Sequence, residues 1–274
     1  MSQEAPSYEA EKVVSNLQFA DGIVWARAGF LVVAEVRQNK VLRIDSSDTP
    51  KVIRENDGGV SGVAYDEQGR LYMCESTARR VSRMDVKGKI DTLASDYQGK
   101  KFNAPNDIVV RKDGHVWFTD PAFGSQADQR ELDFYGVFHV SPKGELDVAA
   151  KWQTRPNGVA LAPDGKTLYV ADSDRHAVVA FDIGKAGETA NPRDIVKDIA
   201  GVPGGIRTDL DGRIYVAALG VAIYTPQGKR ERTLIEKTRC SNCAFGEGDF
   251  KSLFITARGQ IYRVKLPVAG AIPY

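Results

Sequence analysis

NGVALAPDGKTLYVADS, residues 157–173, is the stretch whose reading decides the fold. Two short apolar runs flank the turn Pro163-Asp164-Gly165, and a carboxylate, Asp172, closes the second run. Apolar residues alternating with period two read as strands. The glycine supplies the positive φ that a tight hairpin needs. The unit recurs as DGIVWARAGFLVVAEV from position 21, SGVAYDEQGRLYMCES from 61, NDIVVRKDGHVWFTDP from 106, GGIRTDLDGRIYVAAL from 204 and NCAFGEGDFKSLFITA from 242. Successive starts lie 38 to 51 residues apart. Most copies run on into a third strand, such as KVLRID (40–45), RVSRMD (80–85), AVVAFD (177–182) and QIYRVK (260–265). Six repeats of three to four strands each predict an all-β chain folded as a six-bladed β-propeller. The last copy ends near Leu266, so KVVSNL, residues 12–17, is expected to close the ring as that blade's outer strand and to hide its edge. Residues 1–274 read as one propeller domain without a linker.

Composition narrows the function classes. The chain is 42% hydrophobic and 27% charged, with a formal net charge of +1, which gives no electrostatic case for nucleic acid or an anionic membrane surface. No apolar stretch approaches the roughly 20 residues that span a bilayer. The opening MSQEAPSYEAEKVV is acidic and polar where a signal peptide is basic and then apolar, so a cytoplasmic location is expected. Three cysteines fit a reducing compartment. Cys240 and Cys243 form a C-x-x-C without the further ligands that a zinc site needs, and Cys243 reads as a core thiol.

The repeat also predicts geometry. Residues that open the first strand of each blade and residues that close the second meet at one channel mouth. The opening column reads Asp21, Ser61, Asn106, Asn157, Gly204 and Asn242. The closing column reads Glu35, Glu75, Asp120, Asp172, Leu219 and Ala257. Amides and carboxylates with no converging His or Cys offer oxygen ligands only, which suits a hard cation, Ca²⁺ ahead of Mg²⁺. Each such residue also has a plain structural role, since Asn and Asp at strand ends bond their own backbone. Phe123 is a candidate pocket wall, and the polar segment 125–133 is either a lid over the mouth or an exposed loop.

APND (104–107) with VWFTDPAFG ending at 124, ELDFYGVF from 131, RPNGVALAPDGKTLYVADS (155–173), CES with RRVSR (74–83) and NCAFG near the C-terminus together resemble the gluconolactonase/regucalcin (senescence marker protein) family of six-bladed lactonases. The resemblance implies a metal-dependent hydrolase of sugar lactones, with a small-molecule substrate and one Ca²⁺ or other divalent ion (Mn²⁺, Mg²⁺ or Zn²⁺) at the channel mouth. It places Asn157 among the metal ligands and Asn106 beside the ion as ligand or substrate contact. Two family positions differ here. The first-blade Glu is Asp21, one methylene shorter, and the fifth-blade Asp is Gly204, which leaves that ligand position vacant.

A weaker or rebuilt metal site is therefore expected, because Ca²⁺ affinity follows ligand charge. Asp172 and Asp120 are the carboxylates available to repair it or to act as general base, and Asn242 can add an amide. Glu75, Asn242, Asn106 and Phe123 are the candidate substrate contacts. On this reading Gly204→Asp restores the missing charge. Two rival readings stay open: a propeller hydrolase of other esters or organophosphates, and a propeller that binds a polar ligand without catalysis.

Overall fold

The computed structural model describes residues 8–45 and 49–272. Five four-stranded antiparallel sheets and one of three strands follow one another as the blades of a six-bladed β-propeller. Blade one runs Ala20–Ala26, Phe30–Glu35, Lys40–Ile44 and Lys51–Glu55, each strand pairing with the next. Blades two, three and four repeat this order. Blade five is the three-stranded one; its middle element, Ile214–Tyr224, passes through Gly220 at φ +83. A Cβ at that glycine would lie 2.5 Å from Thr233 Cγ2 and 2.7 Å from the Leu234 carbonyl oxygen. The ring closes as expected, two residues earlier than the sequence suggests: Ala10–Val14 pairs antiparallel with Gln260–Lys265. Among the described residues no helix is long and apolar enough to cross a membrane.

The core lies between the blades. Each of six apolar clusters joins two neighbouring sheets; Val109, Trp117 and Val137 of blade three, for example, pack on Val159, Leu168 and Val170 of blade four. Alternation along each strand therefore buries both faces, and the sheets hold one another in place.

Around the axis the first strands form tiers. At the mouth stand Asp21, Ser61, Asn106, Asn157, Gly204 and Ser241. One residue inward, four of six positions are glycine, at 22, 62, 158 and 205, with Asp107 and Asn242 completing the tier. The glycines are required by close approach. A Cβ on Gly22 would stand 2.1 Å from the Ser61 carbonyl oxygen, and one on Gly62 2.3 Å from that of Asn106. The next tier, Ile23, Val63, Ile108, Val159, Ile206 and Cys243, is fully buried.

Gly158→Ala should test this convergence, because its Cβ would meet the Gly204 carbonyl oxygen at 2.1 Å and the Gly205 Cα at 2.7 Å. A loss of about 3 kcal/mol is expected in chemical denaturation, where overpacking forces backbone shifts. Gly248→Ala, with nothing within 4 Å, is the matched control and should stay within about 0.5 kcal/mol. Equal midpoints for the two variants would contradict the tiered axis.

Candidate active site

The mouth opens into a cavity of about 680 Å³ walled by Phe19, Phe123 and Val202, with Asp21 the one carboxylate that lines it. Ser61 Oγ donates to Asp21 Oδ2 at 2.9 Å, and Asn106 Nδ2 donates to Ser61 Oγ at 3.2 Å. Asn157 Nδ2 donates to Ser173 Oγ at 3.0 Å, and that hydroxyl in turn donates to the Pro203 carbonyl oxygen at 2.9 Å. Both amide nitrogens are thus held by hydroxyls. The amide carbonyl oxygens, which accept no hydrogen bond among the described residues, are left for the cavity. Desolvation at the mouth pushes the Asp21 carboxyl up to about 7, with the Ser61 hydroxyl pulling it down and the Asp107 carboxylate adding to the rise.

One step below the mouth stands Asp107, and Arg207 spans the axis there, its Nη2 donating to Ile23 O at 3.3 Å. Arg207 Nη1 lies 3.9 Å from Asp107 Oδ2 and donates to its own neighbour's carbonyl, Ile206 O, at 2.6 Å. Burial raises the Asp107 carboxyl; the guanidinium of Arg207 opposes that rise.

The closing column occupies the ends of the second strands, yet none of its carboxylates lines the cavity. Three of them fasten backbone, and the fourth, Glu75, is held by side chains. Glu35 accepts from the N–H groups of Gln18 and Phe19 at 2.9 and 2.8 Å. Asp120 accepts from those of Asn103 and Ala104 at 2.7 and 2.8 Å, while burial pushes its carboxyl up to about 8 against these two bonds. Asp172 accepts from Thr154 Oγ1 at 2.6 Å and from the N–H groups of Asp174 and Arg175 at 3.2 and 3.0 Å. Glu75 is held by Arg54 at 2.9 Å, Arg80 at 2.7 Å and the Ser82 hydroxyl.

Asn242 is one residue too deep for the mouth. Its Oδ1 accepts the Cys243 N–H at 2.9 Å, and its neighbour Ser241 faces the cavity instead. Gly204 lines the cavity but is no empty socket. A Cβ there would fall 2.3 Å from the Ser241 carbonyl oxygen, and the Gly204 backbone already bonds Ala217 O and Gly158 N. Gly204→Asp is therefore expected to strain the ring rather than restore a charge.

The remaining expectations fall out by position. Phe123 walls the cavity beneath the Arg155 guanidinium, 4.8 Å from its ring centroid. Segment 125–133 begins within a 3-10 helix, Gly124–Gln129, and touches the cavity through Gln126. Cys240 and Cys243 are free, buried thiols, both pushed up to about 12 by desolvation. Sequence columns missed Ser241 and the three cavity arginines, Arg155, Arg239 and Arg258. The arginines stand outside the repeat columns, in connecting turns or at strand ends, so no period points to them.

Residues 19–259 match the family described as SMP-30/Gluconolactonase/LRE-like region. The chain belongs to this gluconolactonase family. A gluconolactonase of Zymomonas mobilis is 29% identical over 95% of this chain and 82% of its own length. The solved structure of a Xanthomonas campestris gluconolactonase superposes with a TM-score of 0.87 at 29% identity, covering 95% of this chain and 90% of that one. A calcium-binding protein, regucalcin, of Agrobacterium tumefaciens shares the fold at TM-score 0.80 and 16% identity, over 96% and 95% of the two chains.

Within the gluconolactonase frame the mouth presents one carboxylate, two amide carbonyls and two serine hydroxyls, all hard oxygen donors. Among the described residues no three His, Cys, Asp or Glu side chains gather. The donor set fits a hard divalent cation at low ligand charge.

The raised Asp21 carboxyl gives a pH signature. The folded chain keeps this proton where the unfolded chain, with Asp at 3.8, has lost it, so stability falls as pH rises from about 4 to about 7. In EDTA, thermal unfolding across that window should show the decline, and Asp21→Asn should make it shallower, leaving the share that the raised Asp107 and Asp120 carboxyls contribute. A wild-type curve that instead rises monotonically to pH 8, or one unaltered by Asp21→Asn, would contradict the assignment.

Proposed function

We propose that this gluconolactonase-family chain hydrolyses a sugar lactone at the channel mouth, with a divalent cation held by Asp21, Asn106 and Asn157. The observation that carries the reading is the pair of tied amides: two asparagines from adjacent blades commit their nitrogens to serines and line the same cavity as its single carboxylate. When bound, the cation supplies Lewis-acid polarisation of the lactone carbonyl and acidifies water.

The chain's own groups do the rest. Water oxygen bonds to the carbonyl carbon, the ring C–O bond breaks, and the proton released by water ends on the departing ring oxygen, giving the open hydroxy acid. Asp21 is the carboxylate placed to take that proton and pass it on. Asp120 and Asp172, the bases first suggested by the repeat, spend their oxygens on backbone and threonine donors away from the cavity. Asn106, beside the ion, also contacts the substrate, and Phe123 covers the apolar ring face.

The test is hydrolysis of D-glucono-δ-lactone in a pH-stat, before and after EDTA and after return of Ca²⁺, Mn²⁺, Mg²⁺ or Zn²⁺. Activity should vanish with EDTA and return with at least one cation. Asn157→Asp, which adds a second negative ligand, should tighten cation binding on the order of 10-fold. Absence of hydrolysis with every cation would sink the reading, and unchanged cation affinity in Asn157→Asp would remove Asn157 from the ligands.

A further inference from the structure

The cavity carries more positive than negative charge, and the excess is concentrated on one side. Asp21 is its single anion, whereas Arg155, Arg239 and Arg258 all line it. Arg155 is accounted for: its Nε lies 3.0 Å from both carboxylate oxygens of Asp174. Other arginines carried by turns and strand ends beside the mouth are likewise matched, Arg79 with Glu131, Arg80 with Glu75 and Arg175 with Asp194. Arg239 and Arg258 are exposed and have no carboxylate within ion-pair distance among the described residues. They flank the blade five–blade six side of the cavity, where Lys237 adds a third cation to the adjoining depression.

The repeat sharpens the contrast. Arg79 and Arg258 occupy corresponding turns between second and third strands, both in the left-handed region at φ +56 and +57. Arg79 is fully employed, donating to Phe102 O at 2.6 Å and to Glu131 at 3.0 Å. Arg258 reaches no such acceptor, although its backbone is pinned, with its carbonyl oxygen accepting the Ala20 N–H at 3.0 Å. Both guanidinium groups line one cavity with no paired carboxylate among the described residues, so their donors are available to a bound anion. Guanidinium forks match the planar oxygens of carboxylate and phosphate.

We infer that the physiological substrate is a lactone bearing an anionic substituent, a carboxylate or a phosphate, which Arg239 and Arg258 grip while the lactone carbonyl faces Asp21, Asn106 and Asn157. The inference rests on the lactonase reading above and names its substrate class. Arg239 and Arg258 are then specificity residues on the opposite side of the cavity from Phe123 and Arg155.

The experiment compares kcat/KM for D-glucono-δ-lactone, its 6-phosphate and an aldaric acid monolactone that keeps a free carboxylate. At least one anionic lactone should be preferred over the neutral one by about 10-fold or more, the weight of a charge-assisted hydrogen bond. The Arg239→Gln/Arg258→Gln double variant should bring the ratio close to one. Lys87→Gln/Lys143→Gln, an equal loss of two charges in exposed hairpin turns between third and fourth strands, away from the cavity, should leave it as it was. Preference for the phosphate alone or the carboxylate alone identifies the anion and supports the inference. A native ratio near one, or a preference that survives the double variant, overturns it. Calorimetry with 1,5-anhydroglucitol and its 6-phosphate, and with methyl glucoside and methyl glucuronide, reads the same grip without turnover. Arginine-dependent binding of the charged sugars without any lactone hydrolysis would leave the anion site standing and the lactonase reading fallen. Hydrolysis without charge preference would do the reverse.

Discussion

Close approach around a single axis is the constraint on which the rest of the structure depends. Six strands can begin within hydrogen-bonding distance of one another only if nothing stands between their backbones one residue below the mouth. Glycine at 22, 62, 158 and 205 meets that condition, since a Cβ at any of these would lie 1.9 to 2.3 Å from an atom of the next blade. The contacts then run round the mouth. Ser61 reaches Asp21, Asn106 reaches Ser61, Thr119 reaches the Asn157 main-chain carbonyl, and Gly158 donates to Gly204. Gly205 donates to Ser241, whose hydroxyl returns to Ala20 and joins blade six to blade one. The same small spacing that lets the ring close brings Asp21, Asn106 and Asn157 into one cavity.

The closing carboxylates follow a second rule. Each ends a second strand, and three of the four, Glu35, Asp120 and Asp172, accept backbone N–H groups of the segment entering the first strand or of the adjoining turn, while Glu75 is held by side chains. A buried N–H without an acceptor costs roughly 1–3 kcal/mol, so Glu35, Asp120 and Asp172 contribute through satisfied amides more than through charge. They fix the height at which the opening residues stand, and through this they position the site without entering it.

Much of this was legible in the sequence, because the fold is periodic and period is what a sequence displays best. Hairpin glycines, alternation and the recurring carboxylate at the end of strand two gave six blades, the ring closure and the column holding Asp21, Asn106 and Asn157. What periodicity cannot show is depth along the axis. Asn242 shares a repeat position with the opening residues but falls one step inward, so Ser241 takes its place. It also cannot show what a side chain already touches. Asp120 and Asp172 look like free acids in the column and are saturated in space, whereas Gly204 looks like a missing side chain and is a backbone junction. Arg239 and Arg258, outside every column, had no signal that sequence alone could carry.

The central claim is that Asp21, Asn106 and Asn157 form one oxygen-donor site for a divalent cation. Crystals grown with Mn²⁺ and measured at wavelengths on both sides of the manganese edge address it most directly. One strong anomalous peak is expected at the mouth, within about 2.6 Å of the Asp21 carboxylate and of both asparagine carbonyl oxygens. A mouth that stays empty at saturating Mn²⁺, or an ion bound only below it beside Asp107, would contradict the account.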